Sequence, residues 1–142
     1  MKEILFRGKV VNTDEWVEGY LVYAEDACKP NDEITPFIFE PDAINFDYGE
    51  FSCVSEVIPE TVGQYTGVKD RNGRRIFEGD IVDVYDAFGK LDEERLTVEW
   101  NKLFSCWRIG MTNLYGSIHV ASYKIIGNIH DNPELLKGGE TE

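Results

Sequence analysis

Glu78 and Asp80 flank Gly79 immediately before the apolar run Ile81-Val82. Two carboxylates so close could share acid–base work or hold a divalent ion. The competing local reading is a bend at Gly79 whose acids cap and solvate the start of a strand, and the residue types favour it. Asp70-Arg71-Asn72-Gly73 has the look of a calcium loop. Aligning Gly73 with the loop glycine, however, puts Val68 at the first ligand position and Gly79 at the last, and neither side chain can ligate. Lys69, Arg71, Arg74 and Arg75 form the one basic cluster; it could meet phosphate, but cationic hairpin tips are ordinarily just solvated. Trp100, Trp107 and Tyr115, with Asn101 at a turn, could line an aromatic recognition groove, although large rings in small β domains more often fill the core. His119 and His130 have no sequential partner for base catalysis, and no nucleophile elbow is present. Cys28, Cys53 and Cys106 lack the paired spacing of a zinc site and are odd in number, so neither a disulfide framework nor a bound metal is expected. No catalytic residue and no cofactor is assigned.

These residues sit on short β segments. Alternation through Ile4, Phe6 and Val10, then Trp16–Tyr23 after a polar turn, predicts an N-terminal hairpin. Further strands are expected near 54–58, 61–66, 74–77, 81–86, 96–100, 104–109 and 123–129, with 86–94 as a mobile connection. Glycines at 63, 67, 73 and 79 punctuate the middle of the chain, as at the start of a small barrel or a strongly bent sheet. Asn72-Gly73 suits a tight turn because both residues tolerate positive φ. Near the end, Asn132 as cap, Pro133 at the first position and Gly138-Gly139 predict a short C-terminal helix.

Residues 24–53 differ from the rest. They hold eight acids against the single base Lys29, a charge of −7 within a chain total of −13. Apolar residues including Phe37, Phe39 and Phe46 are interspersed, so part of this excursion is expected to pack, through one or two short strands, over the core or against a neighbouring subunit. The domain reading is 1–66 as an N-terminal β subdomain carrying the excursion, and 67–142 as a barrel with the short helix. The overall charge argues against general affinity for a phosphate backbone. No apolar stretch is long enough for a membrane span, and Met1–Gly8 breaks its apolar run too early for a leader, so a reducing cytoplasm is the expected compartment.

Thr61-Val62-Gly63-Gln64-Tyr65-Thr66-Gly67, Lys69-Asp70, Asn72-Gly73 and Glu78-Gly79-Asp80-Ile81-Val82 together resemble the core motif of the YopX family of bacteriophage and prophage proteins. Ile4–Lys9 is similar to that family's opening strand, and Ile126–Leu136 to its closing signature. The resemblance implies a mostly β, two-part fold with an SH3-like barrel toward the C-terminus, in a self-associating phage-type protein of the bacterial cytoplasm. It carries no catalytic residues. The function expected is therefore a non-enzymatic protein-binding or assembly module, homo-oligomeric, meeting a host or phage protein. Its candidate contact residues are Phe37, Phe39, Asp42, Phe46, Trp100, Asn101 and Trp107. The alternatives are a nucleic-acid accessory factor using the aromatic face and the Lys69–Arg75 cluster and, behind it, a metal-dependent hydrolase built on Glu78 and Asp80.

Overall fold

The computed structural model describes residues 4–25, 29, 33–41, 44–45, 50–51, 54–86, 91–102, 105–109, 112–113 and 120–136. Among the described residues the strands are β1 (Phe6–Lys9), β2 (Trp16–Glu25), β3 (Ile34–Phe39), β4 (Ile44–Asn45), β5 (Glu50–Phe51), β6 (Val54–Glu56), β7 (Gly63–Lys69), β8 (Arg75–Phe77), β9 (Asp80–Asp86), β10 (Leu91–Asn101), β11 (Cys106–Ile109), β12 (Thr112–Asn113) and β13 (Val120–Asn128). A six-stranded sheet runs in the order β6-β3-β2-β1-β7-β8 and a five-stranded one β12-β11-β10-β9-β13, while β4 pairs with β5. Among the described residues the registered strand pairs are antiparallel. Contact density divides the chain into Met1–Tyr65 and Thr66–Glu142, with the division falling inside β7.

In the first unit the predicted hairpin forms, with Phe6 opposite Gly19 and Lys9 opposite Trp16. Residues 24–53 are not merely an excursion over the core. Their segment 34–39 is β3, an interior strand paired with β2 on one side and β6 on the other. The physical reason is the apolar run Ile34–Phe39, whose Ile38 is fully buried. A short apolar run bounded by polar and Pro residues gains more from two neighbours than from lying on a surface. Residues 56–58 then return beside β1: Val11 N–H donates to the Glu56 carbonyl at 3.1 Å and Ile58 N–H to that of Lys9 at 2.8 Å. Thr61 locks this crossing, because its Oγ1 accepts from Lys9 N–H at 2.9 Å and donates to the Ile58 carbonyl at 2.6 Å.

The second unit is built on Ile76, Val82, Val84, Val98, Trp107 and Ile125, flanked by Val68, Leu96 and Tyr123. Alternation explains the choice: Val82 and Val84 share one face of β9, and the register sets Ile125 opposite Val82. Of the mobile connection expected over 86–94, residues 87–90 lie outside the described residues and the rest is strand. β9 continues through Asp86 and β10 already begins at Leu91. Charged residues 92–95 can occupy a strand when one face is solvated, which alternation alone did not reveal.

Two further expectations change. Pro133–Leu136 is a single four-residue 3-10 turn, not an α-helix. The Asn132 side chain faces backward, accepting from Asn128 N–H at 3.2 Å, so it supports the end of β13 and caps no helix. Gly138 and Gly139 lie outside the described residues. The described strand pairing is mainly β in two larger antiparallel sheets, and the second sheet has an open order with β12 and β13 at its ends; closure into an SH3-like barrel is not among those pairings.

Candidate functional site

Asp70 begins the β7–β8 turn and is buried. Its Oδ1 accepts from Asn72 N–H and from Arg74 N–H, each at 2.9 Å. Its Oδ2 accepts from Ile125 N–H at 3.1 Å, across 55 residues of sequence. Burial pushes this carboxyl upward, but the backbone N–H groups of Ile125, Arg74 and Asn72, with the Arg74 charge, outweigh it and hold the carboxyl below its ordinary 3.8. The adjacent Arg71 N–H donates to the Tyr123 carbonyl at 2.8 Å. A hairpin tip is thus fastened along the outer edge of β13, with a side-chain carboxylate standing in for a strand carbonyl. The turn itself has Gly73 N–H donating to the Asp70 carbonyl at 3.0 Å and Asp70 N–H to that of Arg74 at 2.7 Å. Gly73 takes φ +82° while Asn72 does not share the positive region, so this is a three-residue loop ended by glycine and not an Asn-Gly pair with both residues left-handed.

Glu78-Gly79-Asp80 forms the next bend. Gly79 adopts φ +91°, its N–H donates to the Val98 carbonyl at 2.9 Å, and its own carbonyl accepts from Ile129 N–H at 2.9 Å. Asp80 is buried, and its Oδ2 accepts from Phe77 N–H at 2.7 Å. Glu78 is half-buried. The carboxylate of Asp80 therefore ties the bend before β9 from a buried position, where the local reading had its acids solvating the strand entrance. Among the described residues no group of three or more His, Cys, Asp or Glu side chains is placed to hold a metal ion.

Of the aromatic groove, Trp100 and Trp107 meet edge to face with ring centroids 5.0 Å apart. They differ sharply in access: Trp107 is 8% exposed and belongs to the core, whereas Trp100 is 42% exposed. Asn101 ends β10 beside them, paired with Cys106. Tyr115 and His119 lie outside the described residues, as do Cys28 and Cys53. Gly63 is buried where β7 pairs with β1, opposite Arg7, and exposed Gly67 takes φ +90° within β7.

Phe37 and Phe39 are half-buried on β3. The register sets Phe37 opposite both Val22 and Glu56, and Phe39 opposite both Tyr20 and Val54. Opposed residues share a sheet face, so Tyr20, Val22, Phe37, Phe39 and Val54 form one apolar strip across three strands. Tyr20 is 48% exposed, Val22 43% and Val54 36%, although each sits in or beside paired strands. The strip is framed by two fixed cations. Arg7 stacks 4.9 Å from the centroid of the Trp16 ring, and Lys29 Nζ reaches Glu56 Oε2 at 2.6 Å and Thr35 Oγ1 at 3.0 Å. Asp42 and Phe46 lie outside the described residues. Sequence reading singled out Phe37 and Phe39 but missed Tyr20, Val22 and Val54. The signal was available in the even positions of β2, yet only the pairing partner tells which face stays open.

A family model described as YopX protein matches residues 5–137. The chain is also similar to a solved structure, protein EF1440 from Enterococcus faecalis, at 28% sequence identity and a TM-score of 0.54, covering 96% of this chain and 99% of that one. No curated protein matches the sequence.

Proposed function

The chain belongs to the YopX family, and from that premise we propose that it is a non-enzymatic protein-binding or assembly module of phage or prophage type, working in the cytoplasm of a bacterial host. The observation that carries the reading is the apolar strip Tyr20, Val22, Phe37, Phe39 and Val54. Rings and β-branched side chains left half-open on a rigid sheet, with fixed charges at the margin, have the make-up of an interface core and rim. The occupant we assign is a second copy of the chain, since a flat strip of paired strands suits a self-complementary two-fold contact. The SH3-like closure implied by the family belongs to the same proposal, with the Asp70 tip against β13 as its seam.

Deleting 31–50 would take β3 out of the sheet, so point variants are the usable test. Tyr20 and Val22 are exposed enough to change without emptying the core. Light scattering on the parent protein is expected to give a mass above the 16.3 kDa of one chain. The double variant Tyr20→Asp with Val22→Asp should return to that single-chain mass while keeping the parent's circular dichroism. A folded double variant with the parent's mass, or a parent that stays monomeric at its highest soluble concentration, would remove the strip as a self-association surface.

A further inference from the structure

The second unit carries cations in an arrangement that the apolar strip does not use. Ion pairs among the described residues include Lys9 with Asp14, Lys29 with Glu56 and Arg108 with Glu99. Arg71, Arg95 and Lys124 are exposed and, among the described residues, none of them pairs with a carboxylate. That is unexpected in a chain with 27 acids and 14 Lys and Arg residues.

Register puts them on one face. Arg95 and Lys124 both stand opposite Asp83, one on each side of β9. Tyr85 lies two residues along from Asp83 and so on the same face. The Arg71 guanidinium sits 4.1 Å from the centroid of the Tyr85 ring, delivered there by the Asp70 tip fastened to β13. Arg95 is also anchored, donating from Nη1 to the Leu135 carbonyl at 3.2 Å. Among the side chains described on this face, three cations stand with Asp83, and Lys69 and Arg74 are exposed on the same hairpin. Two of the three are guanidinium groups, which grip planar oxyanions in a bidentate manner. Ring stacking and the carbonyl contact hold both in place before any ligand arrives, which lowers the ordering cost of binding.

We propose that this row across β10, β9 and β13 docks a short, carboxylate-rich polypeptide segment of a protein partner. Length selects the occupant. From Arg95 to Lys124 spans two strand spacings, about 10 Å, which is the reach of roughly three extended residues. A longer phosphate polymer would overrun the row and meet the rest of a chain whose net charge is −13. Screening acts over about 8 Å at physiological salt, so a local row of cations can attract a short acidic segment despite that total. The inference shares the reading of the protein as a binding module but uses a different surface, so its test can fail without touching the apolar strip.

The probe is fluorescein-labelled triglutamate, titrated with the full chain and followed by anisotropy at low and at physiological ionic strength. Saturable binding that weakens with salt is expected. The double variant Arg71→Glu with Lys124→Glu should lose about tenfold or more in affinity, as charge reversal at an electrostatic contact does. Lys9→Glu, on the other unit's sheet, should leave the affinity unchanged. Absence of saturable triglutamate binding at low salt overturns the proposal, as does equal affinity in a double variant whose melting temperature matches the parent's. Tighter binding of a labelled three-nucleotide thymidine strand than of triglutamate would also overturn it, because the face would then select phosphate.

Discussion

Replacing Asp70 by Asn should loosen the second unit by an amount that the hydrogen-bond geometry sets. An Asn can keep its carbonyl oxygen on the two local donors, Asn72 N–H and Arg74 N–H, both 2.9 Å from the present Oδ1. Its amide nitrogen then replaces Oδ2 and confronts Ile125 N–H, donor against donor, where an acceptor now sits at 3.1 Å. Leaving a buried N–H without its acceptor costs about 1–3 kcal/mol, and losing the charge of the acceptor weakens the two bonds that remain. Asp70→Asn should therefore cost about 2–3 kcal/mol. Asp70→Ala, which abandons all three bonds, should cost about 3–5 kcal/mol, with water compensating part of the loss at the exposed tip. At roughly 3–4 °C per kcal/mol for a chain of this size, the Asn variant should melt about 6–12 °C lower. Trp100 and Trp107 both lie in the second unit and Trp16 in the first, so fluorescence during urea unfolding reports on the second unit directly once Trp16 is replaced by Phe in parent and variant alike. Acid gives an independent check. A carboxyl whose folded-state value lies below its unfolded one stabilises the fold fully above the unfolded value of 3.8 and loses that contribution as the pH falls through the depressed one. The gap between parent and Asn variant should therefore be constant from neutral pH toward 3.8 and close only in stronger acid. A variant within about 0.5 kcal/mol of the parent at neutral pH, below the cost of any of these losses, would refute the assignment of Asp70 as the tie between hairpin and β13.

Two further outcomes follow from the same unit. Gly79→Ala forces a Cβ onto a residue at φ +91°; it should cost about 1–2 kcal/mol in chemical denaturation, and an unchanged midpoint would contradict the left-handed bend. Tyr123 has its phenol pushed above the ordinary 10.0 by burial, so the fold favours its neutral form. That preference is fully expressed below 10.0 and is lost as the pH rises through the higher folded value. Tyr123→Phe should therefore lose less stability than the parent on moving from neutral to strongly alkaline solution, and equal losses in parallel melts would count against a buried phenol.

Much of the β character was legible because it is local. Alternation and turn residues marked β1, β2, β7, β8 and β9 closely, and Asp70-Arg71-Asn72-Gly73 announced its turn. Alternation cannot say how many neighbours a strand will have, and so β3 passed for part of an excursion although it lies inside the sheet. The same limit applies to Trp100 and Trp107: two similar rings on adjacent strands differ in access because one faces the core centre and the other its margin.

The amino-acid order by itself determined that this chain makes short, glycine-divided strands, that it belongs among YopX proteins, and that a turn falls at Asn72-Gly73. Only the tertiary structure decided that the Asp70 carboxylate reaches Ile125, that Arg71, Arg95 and Lys124 share a face, and that Tyr20 and Val22 stay half-open beside Phe37 and Phe39. The reason is that side-chain period and turn chemistry act over a few residues, whereas strand order and register set which distant groups meet, and no local preference encodes them.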